Sequence, residues 1–208
     1  MLTETDLIEL KKEELPARAA ALSSGEIVWL VDLLAEKNDK IRYGAFQLLN
    51  ERSMSHADVF PYWDLFATKL ASDNSFQRSI GVMLLAANAR WDQEGKTAAV
   101  LDAFLAILQD EKPITVRQCI QSLLLIVPYH RELVKAIAER LLSLNLLELR
   151  DTMRKLILLD IVDVLLLIRE TESIDGVDAY LSAALSGDLL DAKTKKQILA
   201  RMGTSVKE

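Results

Sequence analysis

The chain has 208 residues, with 25 Lys and Arg against 31 Asp and Glu, a formal charge of −6. Half of it is apolar, only 6% is aromatic, and its 7 Gly and 4 Pro amount to about 5% where roughly 12% is usual. This excludes disorder, points to helix rather than strand, and leaves enough chain to bury a core without disulfides or metal. Cys119 is the only cysteine, which fits a reducing, cytoplasmic setting.

The first 15 residues, MLTETDLIELKKEEL, are acidic and amphipathic and lack the basic start and apolar run of a signal peptide. They read as an N-terminal cap that extends to residue 24. Residues 26–35 (EIVWLVDLLA) carry apolar side chains at Ile27, Leu30, Val31 and Leu34, a helical stripe. Ser23 and Glu26 form a capping-box pattern at its start. A polar turn at 37–40 leads to a second helix. Residues 61–71 read as the next helix, opened by Pro61, whose missing N–H costs nothing at that position.

A turn at 72–75 and another helix follow. Residues 97–108 and 132–144 give two more amphipathic helices, and Pro113 opens the helix between them after the turn 110–113. The longest apolar stretch, 156–168, contains Asp160 and Asp163 and is too short to span a membrane. Residues 173–207 read as two short capping helices. The chain is therefore expected to be one domain over 1–208, with caps at 1–24 and 173–208 around repeats in 25–172.

The second helices share a motif: an arginine followed six and seven residues later by a pair of leucines. Arg42 leads to Leu48 and Leu49, Arg78 to Leu84 and Leu85, Arg117 to Leu123 and Leu124, and Arg150 to Leu156 and Ile157. The period lies near 36 residues, room for two helices and two short turns. Each unit reads as helix A, a polar turn, and helix B with the arginine. Leu49, Leu85 and Leu124 are expected to be fully buried.

Asp39 with Arg42, Asp73 with Arg78 and Asp110 with Arg117, each in or just after a polar turn, resemble the HEAT/armadillo class of helical repeats over about residues 24–160; Arg150 has only Glu148 nearby. That resemblance implies an all-α, right-handed superhelix of four to five helix pairs, with helix B on the concave side. Residues 60–92 and 110–124 look like a bacterial family of small HEAT-type proteins that often carries the name of the iron–sulfur assembly scaffold SufBD. The chain itself has almost no period-2 pattern, and it offers few cysteines or histidines for a cluster.

The groups that carry chemistry are sparse. His56, His130 and Cys119 form no metal-binding spacing, the glycines form no phosphate loop, and no cofactor is expected. Cys119 lies near a helix start beside Arg117, where a thiol pKa can fall, but small residues at the matching positions, Gly44 and Gly81, point to a tight helix contact instead. Asp160 and Asp163 share a helix face and read as a solvated stripe or a helix break, with paired-carboxylate chemistry as the other reading. The ladder Arg42, Arg78, Arg117 and Arg150 either bonds the turn aspartates of its own or the next repeat, as the HEAT/armadillo resemblance implies, or binds phosphates or an acidic peptide.

Asn88 to Asp92 ends one B helix, and Asp110 to Pro113 opens the next. Trp91 there is either a binding residue or a plug over the core, since Trp and Arg are enriched in binding hot spots. Arg78, Asn88, Trp91, Asp92, Lys112, Arg117 and Gln118 are therefore the candidate partner-binding residues. The expected function is a non-catalytic scaffold, monomeric or homodimeric, that binds a protein on its concave or repeat-edge surface. The alternative implied by the HEAT class is a DNA-binding or alkyl-base DNA glycosylase-type protein, with Trp63–Asp64 and Trp91–Asp92 supplying aromatic and acidic groups. An acidic chain is poorly suited to a polyanion, so nucleic acid is not the expected partner, and neither is a membrane.

Overall fold

The computed structural model describes residues 2–204. Within them the chain forms twelve α-helices joined by short 3-10 turns, and no strand. Contacts cluster into two compact units, Met1–Thr97 and Ala98–Glu208, the boundary falling inside a helix.

The first unit holds α1 (Glu4–Ile8), α2 (Leu15–Ala20), α3 (Ser24–Leu33), α4 (Asp39–Ser53), α5 (Trp63–Thr68), α6 (Ser75–Asn88) and the first residues of α7 (Lys96–Ala106). Local chemistry sets the starts. Ser23 caps α3 by accepting the Glu26 N–H, while the Glu26 carboxylate accepts the N–H groups of Ser23 and Leu2. These bonds hold the Glu26 carboxyl at about 2, far below its ordinary value. Asn38 and Asn74 cap α4 and α6 in the same manner, each accepting the N–H two residues on.

Pro61 does not open α5. Residues Ala57–Tyr62 wind as a 3-10 turn with Pro61 inside it, which drives Val59 and Trp63 into the core, and the α-helix starts at Trp63. Leu48, Leu49, Leu84 and Leu85 are buried with Leu30, Leu34 and Phe66. Gly44 and Gly81 mark close approaches: a Cβ on Gly44 would lie 2.5 Å from the Leu7 backbone oxygen, and one on Gly81 2.9 Å from the Phe66 oxygen. Only glycine lets α4 and α6 come so near their neighbours.

The second unit holds the rest of α7, then α8 (Pro113–Ile126), α9 (Val134–Leu142), α10 (Asp151–Thr171), α11 (Val177–Ser186) and α12 (Ala192–Thr204). The end of the second expected C-terminal helix, residues 205–207, lies outside the described residues. Pro113 is the first residue of α8, as its sequence position suggests. Ile120, Leu123, Ile126 and Val127 are buried from this helix and its end, and Leu124 sits at the edge of that stripe, half-buried rather than fully buried. Ion pairs from Asp163 to Arg201 and from Lys155 to Asp191 tie α12 and its start to α10.

Two sequence expectations change at α10. The helix runs unbroken through Asp160, which is buried, so neither a break nor a solvated stripe occurs there. The fourth arginine of the ladder is also misplaced. Arg150 precedes α10 and is exposed, whereas Arg154 is the fourth residue of its helix, as Arg42 and Arg78 are of theirs. Arg154 donates to the Leu149 and Leu147 carbonyls and pairs with Asp151. Counting from Arg154, the leucine-pair position falls on Asp160 and Ile161. No helix among the described residues is long and apolar enough to cross a membrane.

Candidate functional site

The seven candidate residues do not form one cluster. Arg78 lies in the first turn of α6, while Asn88 ends the same helix ten residues on, about 15 Å along its axis. Trp91 and Asp92 follow Asn88, and Lys112, Arg117 and Gln118 belong to the second unit.

The group at the far end of α6 fastens helix ends together. Asn88 is fully buried; its amide donates to Ser53 Oγ and to the Leu84 carbonyl, both at 2.9 Å. Ser53 Oγ in turn donates to the Leu49 carbonyl. The Trp91 indole N–H donates to the Ser53 carbonyl at 2.7 Å, and Arg90 lies 5.1 Å over the Trp91 ring while bonding the Met54 carbonyl. Trp91 thus bridges the ends of α4 and α6. Asp92 accepts the N–H groups of Glu94, Lys96 and Thr97 and so caps α7. Burial pushes its carboxyl up, and these donors overcome that and hold it below the usual range.

The same contacts absorb the groups named for base excision. Trp63 is buried, and Asp64 is an exposed partner of Lys96 at 3.3 Å. Trp91 and Asp92 are held as above.

The arginines serve different ends. Arg42 is buried; it donates to the Glu36 carbonyl and pairs with Asp39 of its own turn. Arg78 donates to the Ser72 and Asp73 carbonyls, again its own turn. Arg117 instead reaches Asp160, 43 residues on, through Nε at 2.6 Å and Nη2 at 3.1 Å, and Gln121 donates to the same carboxylate at 2.8 Å. The bond to Asp160 raises the Arg117 pKa. The Gln118 side-chain oxygen is buried without a hydrogen-bond partner, and Lys112 is exposed beside Glu111. Cys119 is fully buried, its thiol directed at the Phe104 carbonyl and pushed up by burial, which opposes thiolate chemistry. Among the described residues, no group of three or more His, Cys, Asp or Glu is arranged to hold a metal.

The near end of α6 presents a different surface. Phe76, on its first turn, is 64% exposed, and Tyr43, on α4, is 59% exposed. Arg42 lies 5.8 Å over the Phe76 ring, and Tyr43 leans on Phe46. Beside them Lys69, at the end of the preceding helix, donates to the Gln77 side-chain oxygen, while the Gln77 amide donates to the Leu34 carbonyl. Burial lowers the Lys69 pKa, and the neighbouring Arg42 lowers it further. None of Tyr43, Lys69, Phe76 or Gln77 stood out in the sequence. The available signal was a large aromatic on the first turns of helix B, next to the ladder arginine.

No family model matches the chain, and no curated protein matches it. A crystal structure described as that of an engineered protein, from the Northeast Structural Genomics Consortium, aligns over 99% of this chain and 98% of its own, with a TM-score of 0.52 and 18% sequence identity. At that identity the likeness concerns the fold alone.

Proposed function

We propose that the chain is a HEAT-type helical-repeat protein, a right-handed superhelix that acts as a non-catalytic scaffold and binds a protein partner on its repeat edge. The regular recurrence of the ladder supports the repeat reading: Arg42, Arg78 and Arg154 are each the fourth residue of a B helix, and Arg117 the fifth. The lone buried thiol favours a reducing, cytoplasmic setting.

One observation carries the functional reading. The first unit keeps two large aromatic side chains, Tyr43 and Phe76, in solvent at the turn end of adjacent B helices, while the tryptophans of the opposite end are drawn into the structure. Aromatic anchors beside an arginine are the composition of binding hot spots. The binding residue of this reading is therefore Phe76, with Trp91 as a structural latch.

The test is capture by the tagged full-length chain from a cell lysate at low salt, followed by titration of the purified partner. A stoichiometric protein, bound by the wild type and lost with Phe76→Ala, supports the reading. Recovery of nucleic acid whose binding falls steeply with salt, or binding of alkylated duplex DNA, overturns it in favour of the DNA alternative.

A further inference from the structure

The turn end of the first unit contains a cation with no carboxylate partner among the described residues. The Lys69 ammonium is half-buried, and its one hydrogen bond goes to the neutral Gln77 oxygen. Gln77 is itself fixed by its bond to the Leu34 carbonyl, so this acceptor is held in place. No carboxylate among the described residues pairs with Lys69. Asp39, at the start of α4, is engaged by Arg42. Arg42 is also close enough to depress the ionisation of Lys69. Two cations therefore lie close together, the carboxylate of Asp39 pairs with one of them, Arg42, and a partly desolvated ammonium gains most from an anion brought to it.

The surroundings define what kind of anion. Phe76 stands exposed at this corner with Arg42 over its ring, and Tyr43, the residue after Arg42 on α4, is exposed as well. A bare phosphate would leave these rings in water, whereas a side chain that covers them would bury apolar surface from both partners. A nucleic-acid backbone would bring many charges against an acidic chain and against the exposed side chain of Asp39. A single carboxylate brings only one charge against them.

We infer that the Lys69–Arg42–Phe76 corner of the first unit binds an acidic protein segment, seating an apolar side chain on Phe76 and a carboxylate at the Lys69 ammonium. This rests on the reading of that edge as a protein-binding surface and specifies its partner. Lysine suits the role because its compact charge takes a carboxylate without the planar geometry that arginine imposes.

The experiment is selection of a displayed library of random twelve-residue peptides on the full-length protein, in parallel with Lys69→Gln and Phe76→Ala. Far-ultraviolet circular dichroism confirms that each variant folds; Lys69→Gln keeps the stem that packs against Gly81. The expected result is enrichment of Asp or Glu within a few positions of an aromatic or aliphatic residue. The acidic bias should vanish on Lys69→Gln and the apolar bias on Phe76→Ala. The best peptide should bind Lys69→Gln about tenfold more weakly than the wild type. Peptides enriched for apolar residues alone, with equal affinity for wild type and Lys69→Gln, overturn the acidic specificity and leave the protein-binding edge standing. No enrichment at all overturns both. Saturable binding of inorganic phosphate that disappears in Lys69→Gln, with no acidic peptide selected, overturns the inference in favour of a simple anion site.

Discussion

Helices α6 and α10 each carry an arginine as their fourth residue, and they use the position six residues later differently. In α6 the arginine turns back on the carbonyls of its own turn, and six residues later Leu84 enters the core. In α10 Arg154 also turns back, but six residues later the core position holds Asp160, whose carboxylate is met by Arg117 and Gln121 from α8. In the first arrangement the arginine bonds carbonyls of its own turn and the position six residues on packs as hydrocarbon. The second makes one helix pair depend on a specific charge in its neighbour. A repeat motif thus fixes where side chains point, while the residue at each position decides whether the contact is generic or specific.

The sharpest way to break this comparison is to delete the hydrocarbon version. Leu85→Ala should cost about 2–5 kcal/mol in urea unfolding, and Leu124→Ala well under half as much, because only the first is fully buried. Equal losses would show that the register assigned to α8 is wrong.

The ionic version should be nearly as sensitive to a one-sided change. Asp160→Ala leaves Arg117 without its partner and should cost about 2–4 kcal/mol, below the range for a fully enclosed pair because Arg117 keeps a 22% exposed side chain. Replacing both groups, Arg117→Met with Asp160→Leu, should restore most of that loss. A double-mutant cycle with no coupling would remove the distinction between the two helices.

A smaller effect tests the close approach in the first unit. Gly44→Ala places a methyl 2.5 Å from the Leu7 oxygen and should cost about 1–3 kcal/mol, whereas Gly25→Ala, with open space around it, should not. The smallest concerns the α3 cap. Ser23→Ala should cost about 1 kcal/mol at neutral pH. Because Glu26 titrates near 2 when folded against 4.5 ordinarily, its contribution is present above that ordinary value and fades as pH falls from about 4.5 toward 2. The stability difference between wild type and Ser23→Ala should therefore narrow over that window.

Much of the helix pattern could be read from the sequence, because capping and periodicity are local. Ser23 with Glu26, Pro113 at a helix start and the buried leucines of α4 and α6 all depend on neighbours within a few residues. Asp160 could not be read this way. An aspartate in an apolar run looks like an interruption unless its partner is known, and Arg117 lies 43 positions away. Arg150 precedes Leu156 at the spacing of the other ladder arginines, but the helix starts at Asp151, and Arg154 is its fourth residue. For the candidate site, Trp91 was conspicuous as a residue type, but the carbonyl that receives its N–H comes from another helix. Lys69 and Gln77 meet only because the end of one helix packs beside the start of the next.

The most direct test of the account is a paired measurement on Phe76→Ala and Trp91→Ala: thermal unfolding and partner capture on the same preparations. The account predicts that Phe76→Ala keeps the wild-type melting temperature and loses the partner, while Trp91→Ala melts lower and, below its transition, still binds. A Trp91→Ala protein with unchanged melting and lost capture, beside a Phe76→Ala protein that binds normally, would place the binding surface at the opposite end of α6 and contradict it.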